Sequence, residues 1–265
     1  MGRVMSGDFL DGVDKYLHVV AAGREKELSA AIRARAGELA EAGKDMVVDE
    51  PSEETLRIGA AVLASFETLL PLFDGDERRT ILYLQHVMGE LLTRPYELAF
   101  KTLSERSNPL NKIEKVCRGE PFYGASWDID FERPAPGRFE MNIRRCLWRD
   151  LFARHDARLV TTVMCSWDTN WMRAIDPAVS GLRAECTSLL SLGDDQCRFA
   201  VAETGDPSPA TPTRSGSDSL PGRNPADGCA ASRRYGGPAG GQEPKARGGA
   251  MDCGHPRAGR VYDGG

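Results

Sequence analysis

Apolar residues recur at helical spacing through the first half of the chain. Phe9, Val13, Tyr16, Leu17 and Val20 form one stripe, and Asp8 in front of them suits a helix start. Leu28, Ile32 and Leu39 form a second stripe that ends near Gly43. After Pro51, the run Ser52-Glu53-Glu54-Thr55 reads as another start, and Ile58, Val62, Phe66 and Leu69 carry that helix to about Leu72. Residues 74–94 predict a further helix through Ile81, Leu84, Val87, Met88 and Leu91. Pro95 should break or kink it before residues 96–103 resume the pattern, because proline lacks the N–H and its ring clashes with the preceding turn.

The period changes after Cys117. Trp127, Ile129 and Phe131 alternate with Asp128, Asp130 and Glu132; Phe139, Met141 and Ile143 then alternate with Glu140, Asn142 and Arg144. Alternation by two is the signature of a strand, and residues 133–138, with two prolines and a glycine, supply the turn. A β-hairpin with one wet face is therefore expected. Residues 147–152 look helical, 159–164 read as a strand or a buried helix, and 166–175 as a helix capped by Ser166. Strands at 181–190 and 196–202 flank a turn at Gly193-Asp194-Asp195. Helices first and strands afterwards predict an α+β class, a helical N-terminal half packed on a small antiparallel sheet in the C-terminal half.

Near Gly205 the composition shifts to Gly, Pro, Ser, Arg and Ala, with no Ile, Phe or Trp in the remainder. Such a segment buries too little apolar surface to offset the entropy of ordering. The expected organisation is one domain over residues 1–204, its motifs within 122–203, and a disordered tail over 205–265. The tail's composition also resembles translation of GC-rich DNA in another frame. Cys229 and Cys253 fall in it and are not expected to carry chemistry.

Net charge and apolar content exclude several function classes. At −5 the chain offers no basic surface for a phosphate backbone, so nucleic acid is not an expected partner. No run reaches the roughly 18 consecutive apolar residues of a membrane helix, and the first residues lack the apolar core of a secretory signal. Seven cysteines without export features predict free thiols in the cytoplasm rather than a disulfide framework. The faces around Val62 and Val87 would also suit a homo-oligomer, although core burial explains them equally well.

Five cysteines lie before the tail: Cys117, Cys146, Cys165, Cys186 and Cys197. None forms a Cys-x-x-Cys pair and none has a nearby histidine, so neither metal nor other cofactor is expected. The bland alternative is that they are small buried hydrophobes. Cys165 stands out because it precedes Ser166, the expected cap, and a helix N-terminus favours a thiolate. Asp168, three residues on, reads as a helix-start carboxylate or as a general base. Cys146 sits at a strand-to-helix junction, and Cys197 follows the closing turn. His155, between Arg154 and Asp156, is the histidine expected nearest a site. There is no phosphate loop, nucleophile elbow, zinc-protease motif or dinucleotide fingerprint.

From Trp127 to Val201 the order is a hairpin ending in Cys146, a helix, an apolar run ending in Cys165-x-x-Asp168, and a strand bearing Thr187. It closes on Gly193-Asp194-Asp195-x-Cys197-x-Phe199. This order resembles the L-2-amino-thiazoline-4-carboxylic acid hydrolase family over about the last third of the expected domain. Two positions depart from the family pattern: Cys186 stands where an Arg usually precedes the Thr, and Arg198 follows Cys197 where an Asp is usual. The resemblance implies hydrolytic opening of a small cyclic amidine. Cys165 and Asp168 would be the reacting pair, with Cys146, Thr187, Asp195, Cys197 and His155 toward the substrate; a tailoring role in natural-product metabolism fits the same chemistry. The competing expectation is a non-enzymatic small-molecule-binding domain of V4R type, which needs a pocket but no activated thiol.

Overall fold

The computed structural model describes residues 6–119 and 123–205, with the backbone alone described at 91–96. The expectations for residues 206–265, for Cys229 and Cys253, and for the side chain of Leu91 lie outside the described residues. Helices α1 (Ser6–Val20), α2 (Glu25–Ala42), α3 (Glu50–Leu69), α4 (Glu77–Ser104) and α5 (Pro109–Gly119) make up the first half. Asp8 lies inside the first turn of α1 rather than before it.

Helix α3 begins earlier than its sequence suggests, because Asp49 caps it. The Asp49 side chain accepts from the Ser52 N–H at 3.0 Å, and Pro51 sits in the first turn, where its missing N–H costs nothing. From Thr55 to Phe66 almost every side chain is buried, as expected of a helix with apolar residues all round. It packs against α1, α2, α4 and α6 (Leu147–Arg154). Each buried Leu, Ile or Phe contributes roughly 1.5–3 kcal/mol of transfer free energy. Over Glu50–Phe73 the chain is long and apolar enough to span a membrane, but most of that stretch is buried inside the protein, as in the core helix of a soluble domain.

Helix α4 runs through Pro95 without a break in its assigned helix. The proline penalty of about 3 kcal/mol is local, and packing holds both sides. Leu84, Val87 and Met88 are buried before it, and the buried Phe100 ring lies 4.9 Å from Trp171 after it.

The hairpin is built from β1 (Asp128–Ala135) and β2 (Arg138–Arg145), and β3 (Leu182–Ser188) and β4 (Cys197–Glu203) complete an antiparallel sheet in the order β1-β2-β4-β3. The turn is tighter than expected: β1 continues through Pro134, which an edge strand with a register irregularity tolerates, and Ala135 pairs with Arg138. Ile129, Phe131, Phe139, Met141, Ile143, Cys197, Phe199 and Val201 fall on one face by register. That face receives α5. The opposite face is not wet at its centre, which corrects the expectation. Arg138, Glu140 and Asn142 are buried there, because β2 lies between β1 and β4 and its charges pair: Arg138 Nε donates to Glu140 at 2.6 Å and Arg138 Nη1 to Glu185 at 3.1 Å.

Candidate active site

The segment after α6 departs most from its sequence reading. Of the two alternatives for residues 159–164 the buried helix holds from Thr161 on, and no helix starts at Ser166. A 3-10 turn over Arg158–Val160 leads directly into α7 (Thr161–Asp168), and α8 (Asn170–Arg173) and α9 (Pro177–Ser180) follow. Cys165 therefore sits within a helix rather than at its N-terminus. The positive dipole end that was expected to favour its thiolate is not beside it. The consequence is different and sharper. Thr161, Met164, Cys165 and Asp168 stand at i, i+3, i+4 and i+7, one face of α7, and all four line a single cavity.

The cavity is tight: its water-accessible space is about 10 Å³, room for roughly one water. Trp127, Ile143, Trp148, Phe199, Leu189 and Leu190 give it apolar walls, while Cys146, Cys197 and Ser191 bring polar or thiol groups from other elements. Three of the five free thiols among the described residues thus meet Asp168 at one place.

Each wall has a local cause. Cys146 is the N-cap residue of α6, extended at φ −114° and ψ 113°, so its side chain lies at the helix's open end. Beyond β3, a 3-10 turn over Leu190–Leu192 ends at Gly193, whose φ of 91° suits only a residue without Cβ. Asp194 locks the turn by accepting from the Leu189 N–H at 2.9 Å, and the Leu190 N–H donates to Cys197 Sγ at 3.3 Å. The carboxylate at work in this turn is therefore Asp194, and Asp195 is exposed.

The two indoles are held by α3. Trp148 Nε1 donates to the Thr55 carbonyl at 2.7 Å and Trp127 Nε1 to Thr55 Oγ1 at 3.3 Å, which sets the rings edge to face at 4.9 Å. Asp49 and Ser52 clamp the preceding loop through the Ala125 and Ser126 N–H groups. Gly124 passes so close that an added Cβ would meet Ser52 Oγ at 2.3 Å, and its φ is +73°. This loop also delivers Tyr123, whose hydroxyl donates to Asp168 Oδ1 at 3.3 Å.

Burial sets the electrostatics. It pushes the Asp168 carboxyl up to about 7, although the Tyr123 hydrogen bond works the other way by favouring the carboxylate. It pushes the Cys197 thiol up to about 12 and the Cys146 thiol well above its ordinary value; the Arg149 N–H beside Cys146 opposes the shift without offsetting it. Cys165 is less enclosed than either, and its Sγ donates to Ser191 Oγ at 3.2 Å.

Of the residues singled out by sequence, Cys146, Cys165, Asp168 and Cys197 converge on the cavity. Thr187, Asp195 and His155 do not line it. Thr187 falls at a register irregularity in β3, and His155 follows the C-terminus of α6. Cys186 pairs across to Phe199 on the helix-covered face, while Arg183 pairs with Ala202 on the other. Thr161, Ser191 and Tyr123 were not foreseen. Among the described residues no group of three or more His, Cys, Asp or Glu is arranged to hold a metal ion.

Residues 72–201 match the model of the L-2-amino-thiazoline-4-carboxylic acid hydrolase family, and the matched stretch contains β1 to β3, most of β4, α6, α7 and every cavity-lining residue. Residues 72–201, 130 of the 265, belong to this ATC hydrolase-like family. Neither a curated protein nor a solved structure matches the chain. Membership supports a hydrolase-type function in general terms. The match begins well upstream of Trp127 and takes in all of α4, where the sequence offered no motif.

Proposed function

We propose that the chain hydrolyses a small cyclic amidine of the 2-aminothiazoline carboxylate type, with the reaction carried out in the cavity beside α7. The observation that carries this reading is the convergence of Cys165 and Asp168 on one helix face, within an apolar cavity inside the family-matched segment. A carboxyl held near pKa 7 is suited to moving protons at neutral pH. As a carboxylate it also pairs with a protonated amidine, which makes the ring carbon C2 more electrophilic.

The proposed sequence balances with one water consumed. The Cys165 thiol gives its proton to the Asp168 carboxylate as Sγ bonds to C2. One ring bond of C2 breaks, and the departing ring atom takes that proton. Water then adds to the enzyme-bound carbon, the C–S bond to Cys165 breaks, and a carbamoyl product leaves with the thiol restored. The neighbouring Cys146 and Cys197, held as neutral thiols by burial, add soft, uncharged walls. A small-molecule substrate and a reducing cytoplasm suit five free thiols among the described residues. A tailoring step on a natural-product heterocycle would use the same groups.

The test is hydrolysis of L-2-amino-thiazoline-4-carboxylate by the full chain, compared with Cys165→Ala and Asp168→Asn after both are confirmed folded. Losses on the order of 10²–10⁴-fold in each variant are expected. Turnover surviving in Cys165→Ala would remove the thiol from the chemistry and leave an activated water. An inactive, folded wild type would contradict this substrate class.

A further inference from the structure

Thr161 is 2% exposed, lines the cavity, and its Oγ1 is buried with no hydrogen-bond partner among the described residues. Its neighbours behave differently. Thr162 Oγ1 donates to the Leu159 carbonyl at 2.7 Å, Ser166 Oγ to Val163 at 2.7 Å, and Thr169 Oγ1 to Ser166 at 3.2 Å. Back-bonding to the preceding turn is the ordinary fate of a helical hydroxyl, and it satisfies the group at little cost. A buried hydroxyl left without it carries a desolvation penalty that natural structures rarely retain without a use.

The position of Thr161 on α7 indicates what it would meet. It lies seven residues before Asp168, about 10 Å along the helix axis, with Cys165 between them on the same face. Thr161 and Asp168 therefore stand toward opposite ends of the cavity-lining face of α7, with Cys165 between them. Among the described residues no Lys, Arg or His lines the cavity, so a ligand anion would find neutral donors there.

We infer that Thr161 is a substrate-binding residue, its hydroxyl donating a hydrogen bond to an acceptor, a carboxylate oxygen, on the side of the ring opposite Asp168. This rests on reading the cavity as the site of the proposed hydrolysis. Thr161 contributes to binding and orientation. It takes no proton and forms no covalent bond.

The test measures binding and turnover together on the full chain. Two probes are used, L-2-amino-thiazoline-4-carboxylate and 2-amino-2-thiazoline, which lacks the carboxylate. Binding is read by titration calorimetry for wild type, Thr161→Val and Thr161→Ser. Thr161→Val is expected to weaken binding of the carboxylate probe on the order of ten- to a hundredfold, leave the other probe unchanged, and not lower the melting temperature. Thr161→Ser should restore binding. Equal effects on both probes, or none, would overturn the inference and reduce Oγ1 to a water-binding or structural group. If wild type turns the carboxylate over while Thr161→Val binds it as tightly, the Thr161 assignment falls and the hydrolase reading stands. If binding is selective but no turnover occurs, the assignment stands and the hydrolase reading falls. Wild type that binds neither probe overturns both.

Discussion

Helices α3 and α7 both carry polar side chains into the interior, and they treat them in opposite ways. On α3, Thr55 Oγ1 donates to the Ser52 carbonyl at 2.9 Å, Ser65 Oγ to Ala61 at 2.8 Å, and the buried Glu54 accepts from the Ser6 N–H at 2.8 Å. Ser52 Oγ accepts from the Ser126 N–H at 3.0 Å. Every one of these groups is satisfied, and the result is a scaffold. On α7, Thr161 Oγ1 has no partner among the described residues, and the Asp168 carboxyl is pushed up to about 7. Satisfied polar groups specify structure, and incompletely satisfied ones facing a cavity are available to a ligand. The two helices meet through the indoles: Thr55 on α3 holds Trp127 and Trp148 as walls of the cavity that α7 lines.

That contrast can be broken or sharpened by substitution. The largest effect is expected at Trp148, which is fully buried and bonded to α3. Trp148→Ala should cost about 3–5 kcal/mol in denaturant-induced unfolding, and a cost under about 1 kcal/mol would mean the indole wall is not part of the core.

Next comes Asp168. Its folded-state value of about 7 lies above the ordinary 3.8, so between those pH values the folded chain keeps a proton that the unfolded chain releases. The stability linked to that proton is full below about pH 4 and is lost as pH rises through about 7. Asp168→Asn should therefore be more stable than wild type at pH 8, on the order of 2–4 kcal/mol, with the gain vanishing near pH 4. A variant less stable at pH 8 would contradict a carboxyl that burial holds near neutrality.

Ser52→Ala removes a satisfied group rather than a strained one. It leaves the buried Ser126 N–H without an acceptor and should cost about 1–3 kcal/mol. No loss in thermal unfolding would count against α3 as the satisfied partner in the comparison. The smallest effect is expected from Tyr123→Phe. Without the phenol's hydrogen bond the Asp168 carboxylate is less favoured, and the limb of the pH–rate profile assigned to it should move upward by up to about one unit. An unchanged or lowered limb would separate Tyr123 from Asp168.

The sequence was most informative where periodicity was long or paired. The α1, α2 and α4 stripes and the alternation of the hairpin are visible as written, and so is the order of Cys146, Cys165, Asp168 and Cys197 that carries the family resemblance. It was least informative in α7. The run Leu159-Val160-Thr161-Thr162-Val163-Met164 is β-branched and continuous, so it fits a strand as readily as a buried helix, and Ser166 has the chemistry of a cap. Reading the helix one turn late moved Cys165 to an end it does not occupy and hid the Thr161–Asp168 face. Tyr123 and Ser191 could not be found locally, since their partners Asp168 and Cys165 lie 45 and 26 residues away. The wet hairpin face failed for a related reason. Alternation fixes which residues share a face, but only the placement of β2 between two strands decides whether that face reaches water.

The central claim is that the ionised Asp168, on the α7 face with Cys165, drives hydrolysis in this cavity. The most direct test is the pH dependence of L-2-amino-thiazoline-4-carboxylate turnover by the full chain, from pH 5.5 to 8.5, alongside Asp168→Asn. The account predicts a rate that rises through a pKa near 7 in wild type and loses both its magnitude and that inflection in Asp168→Asn. A profile in Asp168→Asn that keeps the wild-type rate and inflection would contradict it.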